Sequence, residues 1–220
     1  MMKTTDPRAS RRAFLAASAA LACAGTLAGV NAWADDQAPD AFIEQLSTQV
    51  LDAIKNDKDA LQSGNLTSIM RIVDGLIMPN VDFMRMTASA VGPGWRRATP
   101  DQKEQLQYAF KTLLIRTYSG ALKQVGDQTV EMRPFRGSAT DQEVVVQTRV
   151  RGKGDPVQLD YRLERAPGQG SGWKIYDINV LGIWLVDNYR PQFAQQINTG
   201  GIDALIQALD ARNRANAAAQ

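Results

Sequence analysis

Apolar residues recur at helical spacing through the first half of the chain and at alternate positions through much of the second. Phe42, Ile43, Leu46, Val50 and Ile54 lie on one face of a helix. Leu66, Ile69, Met70, Val73, Leu76 and Ile77 lie on another, which Pro79 should end, because proline has no N–H to donate and clashes with the preceding turn. A short segment from Asp82 to Val91 follows and stops at Gly92-Pro93-Gly94. The clearest helix start is Thr99 as N-cap, with Pro100 in the first helical position and Gln102 in the third. Leu106, Phe110, Leu113, Leu114, Thr117, Tyr118 and Ala121 then form an apolar stripe.

From there the period changes to two. Val144, Val146, Thr148 and Val150 share one face of a strand, and Val157, Leu159, Tyr161 and Leu163 share one face of the next, with Arg151–Pro156 as the turn. A further strand runs from Trp173 to about Val180, and an earlier one lies near Val130–Phe135. Helices close the chain near Val186–Ile197 and Ile202–Leu209, before a tail from Asn213 expected to fray. No internal repeat is visible. Helices, then antiparallel strands, then helices make an α+β domain. A sheet with one apolar face needs a cover; helices that stand off it would leave a cavity between the layers.

The N-terminus reads as an export signal. Arg11 and Arg12 precede Phe14 and Leu15, an alanine-rich apolar run extends from Ala13 to Val30, and Ala32-Trp33-Ala34 forms an A-x-A cleavage site. This is the twin-arginine pattern. It divides the chain into a signal peptide, 1–34, and one domain, 35–220, destined for the periplasm. Uncut anchoring and lipidation at Cys23, in Ala20–Cys23, are the rival readings. Removing Lys3, Arg8, Arg11, Arg12 and Asp6 from 25 basic and 23 acidic residues leaves 21 and 22. That balance argues against a nucleic-acid binder. The remaining domain has no cysteine and no histidine, so it lacks disulfides, the commonest transition-metal ligands and the commonest general base. Neither a phosphate-binding loop, a dinucleotide fingerprint nor a nucleophile elbow occurs. No cofactor, metal or catalytic role is expected.

Pro79–Leu122, the strand Val157–Glu164 and Gly172–Leu209 together resemble the MlaC, or toluene-tolerance, family of periplasmic phospholipid-binding proteins. The marks are Asp82-Phe83, Trp95, Thr99-Pro100, Gln102, Phe110, Tyr118, Trp173, Tyr176-Asp177, Gly182, Asn188-Tyr189-Arg190 and Gly201. The resemblance implies helices wrapped on a curved antiparallel sheet, related in shape to the cystatin-like cone, enclosing an apolar pocket for lipid tails. It implies a carrier that moves phospholipid between an outer-membrane lipoprotein–porin complex and an inner-membrane ATP-driven (ABC-type) transporter, maintaining outer-membrane lipid asymmetry; the domain is expected to be a monomer. Two features depart from the pattern. Trp184 stands where a small residue is expected and would narrow or cover the pocket. The twin-arginine signal implies folding before export.

The lipid-lining candidates are Phe110, Leu114 and Tyr118 on the helix side and Thr148, Val150, Leu159, Tyr161, Ile178 and Ile183 on the sheet side. Met84, with Met78 and Met86, adds adaptable surface. Each of these is also a plausible core residue. Arg96 and Arg97 would meet a head group or solvent, Arg190 would pair with Asp187 or Asp177, and Asp177 would be held by backbone or an arginine. Two other functions are open: a carrier of another lipid, hopanoid-like, and a cone-fold isomerase or dehydratase using Asp177 or Asp160 with Tyr161 or Tyr118. A solid adaptor is a third.

Overall fold

The computed structural model describes residues 37–57, 66–122, 127–138, 140–152 and 154–218. The export signal and Cys23 lie outside them. Helix α1 (Pro39–Asn56) starts on a proline and buries Phe42, Ile43, Leu46 and Ile54. Helix α2 (Leu66–Ile72) passes into a π turn, Val73–Ile77, and a 3₁₀ turn, Met78–Asn80. The expected stop at Pro79 is therefore a loosening over two turns. The Asn80 amide donates to the Leu76 carbonyl at 2.8 Å, satisfying one carbonyl of the helix end.

Asp82 caps α3 (Phe83–Val91) by accepting from the Arg85 N–H. A 3₁₀ turn, Gly92–Arg97, leads to α4 (Pro100–Leu122). The capping box forms as the sequence predicts: the Gln102 N–H donates to Thr99 Oγ1 at 3.2 Å, and the Thr99 N–H to Gln102 Oε1 at 3.0 Å. The stripe on α4 holds at Leu106, Phe110 and Leu113, while Thr117 is exposed.

Strands β1 (Thr129–Met132), β2 (Glu143–Arg151), β3 (Val157–Arg165), β4 (Trp173–Val180) and β5 (Ile183–Trp184) form an open antiparallel sheet in sequential order. Directly opposed residues share a face. Val144, Leu163 and Ile175 line up on one face, followed by Val146, Tyr161 and Ile178, then Thr148, Leu159 and Val180. The ladder shifts between Arg162 and Leu163, leaving Tyr176 as the extra residue of a bulge on β4.

Helix α5 (Leu185–Ala218) is two arms broken at Gly200 and Gly201; the φ of +74° at Gly201 is open to glycine. The second arm returns along α4, where the Asn213 amide donates to the Ala109 carbonyl at 2.9 Å. That anchor explains why the tail is helical through Ala218 and not frayed.

Two clusters make most of the core. One joins α3, α4 and α5 around Phe110, whose ring meets Tyr189 and Phe193 edge-on at 5.1 Å each. The other packs Phe42, Ile43 and Leu46 of α1 on Val144, Val146, Leu163, Trp173 and Ile175 of the sheet.

Candidate functional site

Half of the apolar sheet face is covered and half is not. Trp173 and Ile175, above the bulge, are buried under α1. Below it, the expected order inverts. Asp177 and Asn179 are 1 % and 4 % exposed, whereas Ile178 and Val180 are only half-buried. Strand β3 repeats this: Asp160 is buried, and Leu159 and Tyr161 flanking it are half-buried. Buried polar groups beside under-covered aliphatic ones are the informative departure from ordinary burial.

The polar groups are buried on the far face of the sheet. Asp177 Oδ1 accepts from the N–H groups of Ile178 (2.9 Å) and Val186 (3.1 Å), and its Oδ2 from Arg162 Nη1 (2.8 Å). This fixes the start of α5 to β4. Burial pushes the Asp177 carboxyl upward against those bonds. Arg162 also reaches Asp187 at 3.4 Å and lies 4.0 Å over the Trp184 ring. Arg190 pairs with Asp187 at 3.6 Å, as expected, and its Nε donates to the Ser89 carbonyl.

The half-buried apolar residues lie on the other face, the candidate cleft. From the helices, Leu114 and Tyr118 pack half-buried against the Phe110 cluster, as do Ile178 and Val180 from the sheet. Ile178 also touches the α1–sheet cluster, in company with Tyr161. Burial raises both tyrosine pKa values; the nearby Tyr189 adds to it at Tyr118, while hydrogen bonding to Ser47 and Thr148 opposes it at Tyr161. Both hydroxyls are therefore neutral at ordinary pH, which suits an apolar space. Leu159 and Val150 continue the face, also half-buried.

The candidates thus divide. Leu114, Tyr118 and Ile178 pack on the Phe110 cluster, Tyr161 and Ile178 on the α1–sheet cluster, and Val150 and Leu159 lie half-buried farther along the same sheet face. Phe110 and Thr148 are instead fully buried: the Phe110 ring is enclosed by three aromatic neighbours, and the Thr148 hydroxyl donates to the Leu159 carbonyl at 2.7 Å. Met84 is 58 % exposed, because α3 turns Phe83, Met86 and Thr87 inward and leaves Met84 outside. Ile183 is 55 % exposed and opposes Val180 on a two-residue edge strand, so it is not enclosed. Trp184 opposes Asn179 on the far face, so it neither narrows nor covers the cleft. Val180 is the lining residue that the strand's alternation contained but the bulge concealed.

Asp160 and Asp177 face away from Tyr161 and Tyr118, so an acid–base pair of the isomerase type is not assembled among the described residues. Nor do those residues contain a group of three histidine, cysteine or acidic side chains placed to hold a metal. None of their helices is long and apolar enough to cross a membrane.

A second apolar space opens where α1 meets α2 and the π turn. It is about 50 Å³ and is lined by Val50, Ile54, Ile69, Ile72, Val73 and Ile77. A more polar groove of about 170 Å³ lies between α4 and the arms of α5, with Gln192, Gln196 and Arg212 among its walls. Neither is the single large enclosed pocket expected from the resemblance.

On the sheet's flank, Arg85 of α3 bridges two carboxylates that stand opposite each other in the β2–β3 ladder, Glu143 at 2.5 Å and Glu164. Its guanidinium stacks 3.7 Å over the bulged Tyr176, whose hydroxyl donates to Glu143 at 3.0 Å. The Asp82 N–H donates to the Ile175 carbonyl at 2.8 Å. These contacts tie α3 to the sheet.

Comparison with known proteins is consistent with this architecture. The model of the MlaC protein family matches residues 44–211. The chain is similar to a solved phospholipid-binding protein from Ralstonia solanacearum in complex with a phospholipid. The two are 47 % identical with a TM-score of 0.77, covering 81 % of this chain and 98 % of that one. It is 26 % identical to toluene tolerance protein Ttg2D of Pseudomonas putida, over 76 % of each chain. It is 21 % identical to the intermembrane phospholipid transport system binding protein MlaC of Haemophilus influenzae, over 73 % of this chain and 77 % of that one.

Proposed function

The chain belongs to the MlaC family, and from that premise we propose that it is a periplasmic phospholipid carrier, exchanging lipid between an outer-membrane complex and an inner-membrane transporter. The observation that carries the reading is the inversion on β3 and β4. Leu159, Tyr161, Ile178 and Val180 are left half-buried opposite Leu114 and Tyr118, while Asp160, Asp177 and Asn179 are buried behind them. A folded domain that leaves an aliphatic stripe short of cover gains by covering it with acyl chains.

Two acyl chains hold about 30 methylenes, so their burial gains about 24 kcal/mol gross. A bilayer offers the same chains almost the same gain, and the net preference is small. That near balance lets a carrier both take up and release its cargo. The protein supplies no energy source; directional transport falls to its partners. Acyl chains sit in the cleft, and the head group stays at the open rim near Ile183, where it is read weakly. Asp160 and Asp177 lie on the far face, away from Tyr161 and Tyr118, which gives no reason to propose catalysis.

The test is native mass spectrometry of protein purified from periplasm without detergent, followed by organic extraction. The expected result is one phospholipid per chain. Protein that is bare, and that also takes nothing from phospholipid vesicles, would overturn the reading.

A further inference from the structure

The small cavity between α1 and α2 lies outside the apolar sheet face described above, yet one side chain belongs to the surroundings of both. Val50 lines the cavity and also packs against the α1–sheet cluster that holds Tyr161 and Ile178. Ser47, which hydrogen-bonds Tyr161, lies on α1 less than one turn before it. On the far side, Ile69, Ile72 and Val73 pack with Ile115, the α4 neighbour of the cleft residue Leu114. Every lining residue is aliphatic. A cavity so lined offers a polar guest no partner and suits an apolar one. Its 50 Å³ holds about three or four methylene-sized groups.

The wall of the cavity is also where the helix is irregular. Val73 and Ile77, the first and last residues of the π turn, both line it, and the turn's outer side is tied to α4 by Lys111 and Asp74 at 2.8 Å. A π turn carries one more residue per hydrogen-bonded ring than an α turn, and such turns concentrate at functional sites.

We propose that this cavity receives the end of one acyl chain of the bound phospholipid and so sets the chain length the protein accepts. The inference rests on the carrier reading given above. The occupant is apolar because nothing in the lining can bond a polar group, and it is a chain end because the space is too small for more. Excluding one methylene from it disfavours the longer chain by about fourfold, since that methylene remains buried in the competing bilayer.

The full mature chain is offered vesicles containing equal amounts of dimyristoyl, dipalmitoyl and distearoyl phosphatidylethanolamine, and the bound lipid is extracted and weighed by chain length. Val50→Phe fills the cavity; Ile72→Ala enlarges it. The expected outcome is near-wild-type loading with opposite shifts. Val50→Phe favours the myristoyl lipid by about fourfold or more, and Ile72→Ala moves the profile toward stearoyl. Loaded variants that both keep the wild-type profile would overturn the inference while leaving the carrier reading intact. Unaltered protein that binds none of the three lipids would remove the carrier reading, and this inference with it.

Discussion

Tyr161 of β3 and Ile178 of β4 stand directly opposite each other on the apolar sheet face, and both are half-buried where the neighbouring Leu163–Ile175 pair is fully buried. The boundary between core and cleft runs between these two rungs. Replacing Ile178 with Asp places a charge where acyl chains would lie, without removing a fully buried core group. We expect Ile178→Asp to lose bound phospholipid on organic extraction while retaining its far-ultraviolet helical signal. Met84→Asp, on the outer side of α3, should keep its lipid. Retention by Ile178→Asp would place the acyl chains elsewhere.

The bridge made by Arg85 has a second consequence. Glu143 and Glu164 oppose each other across the ladder, and like charges in that arrangement destabilise a sheet. Arg85 pairs with both, offsetting one of the two negative charges, and holds α3 to the sheet. Its bond and that of Tyr176 hold the Glu143 carboxyl below the usual range. Arg85→Ala should lower stability by about 2 kcal/mol in urea unfolding. Adding Glu164→Gln should recover part of that loss by removing the repulsion. No recovery in the double variant would mean that Arg85 acts through packing alone.

Much of this arrangement is legible in the residues. The period-two runs of β2 and β3, the capping box at Thr99 and Gln102, and the two-part closing helix are each dictated by local chemistry, and each forms where its pattern predicts. The bulge is subtler. Apolar positions Trp173 and Ile175 are followed by Ile178 and Val180, one step out of phase, and that slip at Tyr176 marks where the faces change partners. What the pattern does not contain is the depth of cover. Phe110 and Tyr118 sit on the same stripe of α4, yet one is enclosed by rings from α3 and α5 and the other is not. Trp184 illustrates the same limit. Its face follows from pairing with Asn179, which a two-residue strand cannot announce. Arg85 is likewise unreadable, because its acidic partners lie 58 and 79 residues away.

Asp177 makes the stability of the protein depend on pH in a definite direction. Burial raises its pKa above the ordinary 3.8, so the folded state keeps this proton to higher pH than the unfolded chain does. The stability it contributes is complete below 3.8 and declines as pH rises through the raised value. Asp177→Asn removes that dependence. The stability lost on substitution should therefore be largest in acid and shrink as pH increases, as measured by urea unfolding across a pH series. A loss that grew with pH would show that the bonds from Arg162, Ile178 and Val186 outweigh burial.

Trp184 separates ligand effects from scaffold effects. Its indole lies beside the far-face network, with the Arg162 guanidinium 4.0 Å above the ring, and Arg162 in turn holds Asp177 and Asp187. Loss of such a stacked cation contributes about 1 kcal/mol at a partly exposed site. Trp184→Ser should lower the urea midpoint accordingly and leave both lipid stoichiometry and acyl-chain profile unchanged, because Ile183 and not Trp184 faces the cleft. A variant that accepted bulkier or longer-chain lipid than the parent would put the indole in the ligand's path and require the edge strand to turn over when cargo binds.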